Sequence, residues 1–239
     1  MIHLVIGTPM YGGMCTSEYT QSLLNLSESA NKSGVKLTTI FLGNESLIQR
    51  GRNTIAHHFM NLPDATHLLF IDADIKFRTE DIVKMIQADK SLIIGPVALK
   101  GYNWDEIRQA AINGEDDIGR TGGVFNINHL PGIDMVNENE PFEIEHGGNA
   151  FMMIRRDVFE TLKPHTPIYT NGGRSLPDGV EIYDYFRVEI NKDTNHLLSE
   201  DYFLCHSYRQ VGGKVWCAPW VETGHFGSHL FNGKYTRNN

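Results

Sequence analysis

The sequence predicts an α/β fold in which helices cover a central, mostly parallel sheet. Over about residues 1–98, short apolar runs that suit buried strands alternate with segments whose apolar residues recur at helical spacing, giving the order βαβαβαβ. The 239 residues are 41% hydrophobic and 21% charged, a globular composition that can bury a core without disulfides. Ligands are then expected at the carboxyl ends of the strands.

The first elements follow from local signals. Residues 2–6 form an apolar run that Gly7, Thr8 and Pro9 close, which predicts a strand and a loop. A helix is expected from Ser17, with Gly34 as its stop, and residues 35–42 form the second strand. Asn44 is expected to cap the second helix.

The third strand has the strongest apolar signal in the chain, at residues 67–71, and it leads directly into Asp72, Ala73 and Asp74. A helix at about residues 79–88 and a strand at residues 91–95 follow. Residues 99–148 have few strong periods and many Gly, Asn and acidic residues, and are expected to form mobile loops over the site.

The remaining elements are shorter. We expect a strand at residues 150–154, a helix from Arg155 to near Pro164, and a loop at residues 167–179. An edge strand is expected at residues 180–188, and a last helix capped by Ser199 and closed by Gly212 precedes a strand at residues 214–217.

Charge and cysteine content limit the class of protein. The formal net charge is 21 − 29 = −8, which gives no strong signal for nucleic-acid binding, because such affinity needs clustered Lys and Arg. Cys15, Cys205 and Cys217 are few and widely spaced, as expected for reduced thiols in the cytoplasm. No apolar run approaches ~18 residues, so no membrane span or signal peptide is expected.

Asp72 and Asp74 are the first candidate site residues. Two carboxylates at a strand end, with one residue between them, can both reach a hard divalent cation. Such a cation can neutralise the phosphates of a nucleotide. A helix cap or a solvated turn is the alternative interpretation of the pair.

These motifs resemble a known family. The sequences at residues 69–74 and 45–53 are similar to the nucleotide-sugar-binding half of GT-A fold glycosyltransferases, especially small members encoded by viruses, phages and bacteria. Residues 8–13, 147–152, 199–201 and 225–227 continue the likeness. It implies a single domain with a GT-A-like, Rossmann-like three-layer sandwich. Residues 1–98 would bind the nucleotide sugar, and residues 99–239 would form the acceptor side.

The resemblance also implies roles for single residues. Asp74 would ligate Mn²⁺ or Mg²⁺, Asp72 would contact the ribose or the metal, and His225 would supply a further metal ligand. Arg52 would point to the nucleotide or brace Asp72, and Asn149 lies in a segment that approaches the donor sugar. The full set expected at the donor is Thr8, Pro9, Arg52, Asp72, Ala73, Asp74, Lys100 and Asn149, in which Lys100 is placed only by its position after the fourth strand, where it can meet a phosphate.

Glu200 and Asp201 match the acidic pair that provides the base in inverting members. An acceptor hydroxyl must lose its proton as it attacks the anomeric carbon, and a first-turn carboxylate is kept charged by the helix dipole. Asp201 is the first choice and Glu200 the second. Acidic residues are also common in first turns for purely structural reasons.

The leading hypothesis is a metal-dependent glycosyltransferase that moves a sugar from a nucleoside-diphosphate donor to a hydroxyl acceptor, expected to be a glycan. One alternative is a haloacid-dehalogenase-like phosphohydrolase that uses Asp72 and Asp74, although Lys76 stands where such enzymes carry Thr or Val. The other is a noncatalytic domain that binds a nucleotide sugar or a glycan.

Overall fold

The computed structural model describes residues 2–116, 118–132, 137–172 and 176–228. The α-helices in these ranges are α1 (Ser17–Ser33), α2 (Ile48–Met60), α3 (Thr79–Gln87), α4 (Trp104–Asn113), α5 (Ile118–Thr121), α6 (Arg156–Leu162) and α7 (Glu200–Gln210), with 3₁₀ turns at Tyr11–Gly13 and Lys163–His165. The strands are β1 (His3–Met10), β2 (Lys36–Gly43), β3 (His67–Ile71), β4 (Ile75–Lys76), β5 (Leu92–Ile94), β6 (Ala98–Tyr102), β7 (Gly123–Phe125), β8 (Ile127–His129), β9 (Phe142–Gly147), β10 (Phe151–Arg155), β11 (Ile168–Thr170), β12 (Glu181–Tyr183), β13 (Glu189–Ile190), β14 (Leu197–Leu198), β15 (Val215–Cys217) and β16 (Gly224–His225).

Eight of these strands form the central sheet, in the order β2-β1-β3-β10-β5-β15-β9-β8. β10 runs antiparallel to β3 and to β5, and β9 runs antiparallel to β15 and to β8. The other six strands therefore point the same way. The predicted fold class, an α/β sandwich of three layers with a mostly parallel central sheet, is confirmed.

The sheet separates two apolar cores. In β1 the side chains alternate, so that Val5 packs with residues of α2, α6 and α7, while Leu4 and Ile6 pack with residues of α1 and α3. The same alternation in β3 sends Leu68 and Phe70 to the first core. Because both faces are covered, the central strands read as nearly continuous apolar runs, which made β3 easy to predict.

Close packing of α2 on β1 depends on Gly7. A Cβ at Gly7 would lie 2.5 Å from Ile55 Cγ2, so a larger residue would push the helix outward. This contact holds α2 against the sheet, and Arg52, one turn before Ile55, is thereby carried to the end of β3.

Two predicted boundaries are confirmed, and one boundary and one cap are wrong. β1 runs to Met10, through Gly7, Thr8 and Pro9, which were expected to close it. β3 spans the predicted residues, and Gly34 ends α1 with a φ of 67° in the left-handed region. Asn44 does not cap α2, which begins only at Ile48 after Leu47. Asn44 has a φ of 59° and lies in the turn after β2, so its backbone is not that of a cap residue.

The segment of residues 99–148 contains more regular structure than expected. β6 and β7 form a hairpin around α4, whose N-cap Asn103 accepts a hydrogen bond from the Glu106 amide, and β8 and β9 extend the central sheet. β8 is the edge strand and β9 lies next to it, and most residues of these four strands are exposed or half-buried, so they lack the apolar runs that mark buried strands. Residues 117 and 133–136 of this segment lie outside the described ranges.

The second half differs from the prediction in two further places. β11 lies within residues 167–179, which were expected to form a loop. The strand expected at residues 180–188 is limited to β12, which pairs with β11 in a separate two-stranded sheet and not with an edge of the central sheet. Cys15, Cys205 and Cys217 are free thiols, the last two buried. Within the described ranges, none of the helices is long and apolar enough to cross a bilayer.

Candidate active site

A cavity of about 320 Å³ opens at the edge of the sheet where β3 and β5 end. Because β10 is antiparallel to both, its first residues lie at this same edge. The Asp72 amide donates to the Ala150 carbonyl oxygen at 3.0 Å, and the Gly95 amide donates to the Phe151 carbonyl oxygen at 2.9 Å. Six residues that the sequence singled out line this cavity: Arg52, Asp72, Asn149, Glu200, Asp201 and His225.

Arg52 joins the two acidic motifs. Its Nη2 lies 3.1 Å from Asp72 Oδ1 and its Nε lies 3.3 Å from Glu200 Oε1, while the side chain is only 4% exposed. Burial alone would lower the pKa of the guanidinium, but the charges of Asp72, Glu200 and Asp201 raise it. The prediction that Arg52 braces Asp72 fits this contact, and the pairing with Glu200 was not predicted.

Glu200 is held inside the site. Its side chain is 13% exposed, and burial raises the pKa of its carboxyl group. The positive charge of Arg52 opposes this rise, whereas the neighbouring Asp201 adds to it. Glu200 is therefore tied to Arg52 as an ion partner.

Asp201 is held differently. Its Oδ1 accepts hydrogen bonds from the Ser199 hydroxyl and, at 2.8 Å, from the Tyr202 amide. Its Oδ2 faces Gly148 across the cavity wall, since a Cβ at Gly148 would lie 3.8 Å from that oxygen. Ser199 is the N-cap residue of α7 as predicted, but its hydroxyl orients Asp201 and does not cap the backbone. One carboxylate oxygen is thus fixed and the other is directed at the cavity.

Asp74 and Lys100 do not line this cavity. Lys100 lines an adjoining cavity of about 380 Å³ that shares Ala98, Leu99 and His225 with the first. Asp74 Oδ2 is 2.5 Å from Lys100 Nζ and 3.6 Å from His225 Nε2. The pairing of β16 with β4 brings His225 opposite Ile75, and the Phe226 amide donates to the Asp74 carbonyl oxygen at 3.0 Å. The C-terminal segment is thereby attached to the Asp72-Ala73-Asp74 turn.

Asp74 and His225 have the chemistry of cation ligands. His225 Nδ1 is 2.7 Å from the Ala98 carbonyl oxygen, a contact in which Nδ1 donates and which orients Nε2 towards Asp74. In the described part of the chain, no group of three or more His, Cys, Asp or Glu side chains is arranged to hold a metal. A cation bound here would need additional oxygen ligands, and phosphates of a substrate are suited to supply them.

The remaining predicted donor residues lie behind or beside the cavity. Thr8 is fully buried, and its hydroxyl lies 2.6 Å from the Tyr19 hydroxyl. Burial raises the pKa of Tyr19 to about 12. Pro9 is half-buried in β1, and the Ala73 carbonyl oxygen accepts from the Thr16 amide at 2.9 Å. Thr8, Pro9 and Ala73 are not among the residues that line the cavity.

Asn149 is 1% exposed, and neither its Nδ2 nor its Oδ1 has a hydrogen-bond partner among the described residues. A buried amide without partners is costly, and such groups often mark a functional site. Arg52 Nη1 is also without a partner in the described part of the chain. Polar atoms of Arg52 in α2 and of Asn149, two residues before β10, are therefore available to a ligand.

We expect Asn149→Leu to stabilise the protein by about 1–3 kcal/mol, because an apolar side chain of similar size removes an unpaired buried amide. The same change should weaken binding of a nucleotide sugar, the ligand expected from the sequence. Thermal unfolding of both proteins, alone and with the ligand, measures the two effects. A variant that is less stable than the parent protein would show that the amide has a structural partner.

Asn126 and Tyr202 were missed. Asn126 lines the cavity, and the Tyr202 hydroxyl donates to its Oδ1 and accepts from Asn128 Nδ2 at 2.8 Å. The His146 ring stacks on Tyr202 with 3.9 Å between centroids. Tyr202 follows Asp201 directly, and only that adjacency could have pointed to it. No motif marks Asn126.

No protein-family model and no curated protein sequence matches the chain. Among solved structures, A197 from STIV is similar over 98% of this chain and 99% of its own, with 12% identity and a TM-score of 0.50, which supports a shared fold. A glycosyltransferase involved in the glycosylation of the major capsid of PBCV-1 matches 68% of this chain and 64% of its own, with 9% identity and a TM-score of 0.33. HddC from Yersinia pseudotuberculosis matches 66% of this chain and 79% of its own, with 14% identity and a TM-score of 0.32.

Proposed function

We propose that the protein is a glycosyltransferase that moves a sugar from a nucleoside-diphosphate donor to a hydroxyl acceptor, such as a glycan, with Mn²⁺ or Mg²⁺. One observation carries the proposal: buried Arg52 bridges Asp72 and Glu200 in a cavity that Asp201 also lines. A cleft that brings together acidic and basic side chains, some of them buried and with shifted pKa values, is typical of a catalytic site.

The donor end of the proposed site is formed by Asp74, His225 and Lys100. Asp74 and His225 would hold the cation, and the donor diphosphate would complete its coordination. When bound, the cation supplies positive charge that stabilises the departing diphosphate. Asp72, held by Arg52, lines the cavity and would contact the ribose.

The acceptor end is formed by Asp201. We infer that its Oδ2 accepts the proton of the acceptor hydroxyl as the hydroxyl oxygen bonds to the anomeric carbon. The bond from that carbon to the diphosphate oxygen breaks, and the nucleoside diphosphate leaves with the electron pair. Attack on the face opposite the leaving group inverts the anomeric configuration. The hydrogen bonds from Ser199 and Tyr202 to Oδ1 keep the carboxylate oriented for this step.

The ligand class can be tested by thermal unfolding with a panel of nucleoside diphosphates and nucleotide sugars, each with and without Mn²⁺. A ligand at about 100 times its Kd stabilises a folded protein by about 2.7 kcal/mol. We expect one nucleoside diphosphate to raise the Tm only when Mn²⁺ is present. No response to any member of the panel would contradict the proposal, and release of inorganic phosphate from a phosphomonoester would favour the phosphohydrolase.

A further inference from the structure

The ammonium group of Lys100 occupies the position that a cation bound to Asp74 would take. Its Nζ is 2.5 Å from Asp74 Oδ2, the same oxygen that lies 3.6 Å from His225 Nε2. An ammonium group at this distance forms a charge-assisted hydrogen bond and offsets the carboxylate charge. The lysine side chain is 45% exposed, so the pair lies at the open end of the site and can separate without breaking the core.

Gly227 holds the lysine stem in this position. A Cβ at Gly227 would lie 2.6 Å from Lys100 Cδ and 3.1 Å from Cε, so the methylene chain crosses directly over the glycine backbone. Gly227 belongs to the segment that also carries His225. The backbone of that segment therefore determines where both His225 and the Lys100 ammonium meet Asp74.

We propose that Lys100 is an internal cation that occupies Asp74 until metal and diphosphate bind together. The inference rests on the proposed function. A divalent ion alone must displace the ammonium from Asp74 and then remain close to a like charge. A diphosphate offers Lys100 a new anionic partner, so its arrival releases Asp74 for the metal. Metal and diphosphate then assist each other's binding, and the coupling is reciprocal.

Two binding measurements on Lys100→Met test the proposal. The two affinities should change in opposite directions. Binding of Mn²⁺ alone, followed by the electron paramagnetic resonance of the free ion, should become tighter by about fivefold or more, within the range usual for coupled sites. Binding of inorganic diphosphate at saturating Mn²⁺ should become weaker, because the ammonium that would contact it is lost. A lysine with a merely structural role would not tighten the binding of Mn²⁺.

Matched variants separate the local contact from the general change in charge. Lys76→Met removes an exposed lysine of β4, two residues after Asp74, and should leave both affinities near those of the parent protein. Gly227→Ala keeps every charge but displaces the Lys100 stem, and it should tighten the binding of Mn²⁺ alone as Lys100→Met does.

Failure of this inference differs from failure of the proposed function. If Lys100→Met binds Mn²⁺ no more tightly than the parent protein while a nucleoside diphosphate still stabilises both with Mn²⁺, only the role of Lys100 is overturned. If neither Mn²⁺ nor any nucleoside diphosphate binds the parent protein, both proposals fall.

Discussion

Asp201→Asn should lower the rate of sugar transfer by about 10²- to 10⁴-fold, the usual contribution of a general base. The amide has nearly the same shape as the carboxylate, and its oxygen can still accept the hydrogen bonds from Ser199 and Tyr202. It cannot take the acceptor proton. Binding of the donor should therefore remain close to that of the parent protein, which titration calorimetry with the nucleoside diphosphate and Mn²⁺ would measure.

Glu200→Gln is the matched control for this experiment, since it makes the same chemical change in the adjacent residue. Glu200 is engaged with Arg52, so its amide variant should retain much more transfer activity than Asp201→Asn. The opposite ranking would assign the base to Glu200. Unchanged transfer in both variants would remove this acidic pair from the reaction, and a domain that only binds its ligand would show no transfer in any variant.

Arg52→Met should destabilise the protein by about 3–5 kcal/mol, the usual result when one partner of a buried ion pair is removed. The change leaves Asp72 and Glu200 without the guanidinium that both of them contact, and Glu200 is 13% exposed. Methionine retains much of the apolar stem, so the loss reports mainly on charge. Urea unfolding of the two proteins measures the difference in free energy of unfolding.

The destabilisation should depend on pH in a defined direction. Burial raises the pKa of Glu200 in the folded protein, so its protonation favours folding at low pH and this contribution is lost as the pH rises through the folded pKa. Loss of Arg52 raises that pKa further, because the guanidinium is the group that lowers it. The difference in free energy of unfolding between Arg52→Met and the parent protein should thus be larger at about pH 7 than at about pH 4, which is close to the ordinary pKa of a Glu carboxyl group.

Arg52→Lys is the control that keeps the positive charge but loses the geometry of the guanidinium group. It retains one positive charge but cannot present two separate nitrogens to Asp72 and Glu200, so an intermediate stability is expected. If Arg52→Met loses the same free energy of unfolding at both pH values, the effect comes from packing against Phe70, whose ring centroid lies 5.3 Å from the guanidinium carbon.

The sequence was most informative where a segment is buried on both faces or ends at a special backbone conformation. β3 and the stop at Gly34 were predicted correctly for these reasons. Asn44 was placed wrongly because Asn favours both helix caps and left-handed turns, and a single sequence does not distinguish them. In residues 99–148, edge strands and a hairpin carry too few buried residues to give a clear period.

For the candidate site, the motif residues were predicted, but apart from the contact of Arg52 with Asp72 their partners were not. Asp72, Asn149 and Asp201 do line one cavity, but Lys100 contacts Asp74 in place of a phosphate, and Arg52 reaches across 148 positions of chain to Glu200. Such pairings depend on how α2, α7 and the hairpin pack around the sheet. Periodicity describes each element alone, so it contains no information on contacts between distant side chains.

The place of β10 in the sheet also constrains the order in which the chain can fold. β5 ends at Ile94, yet both of its neighbours, β10 and β15, come from the second half of the chain. During synthesis, the first 98 residues can join β1, β2 and β3, but β5 has no strand beside it until residues beyond 150 have emerged. The edge where Asp72 meets Ala150 therefore forms late, and the proposed catalytic cleft cannot exist on a nascent chain that carries only residues 1–98.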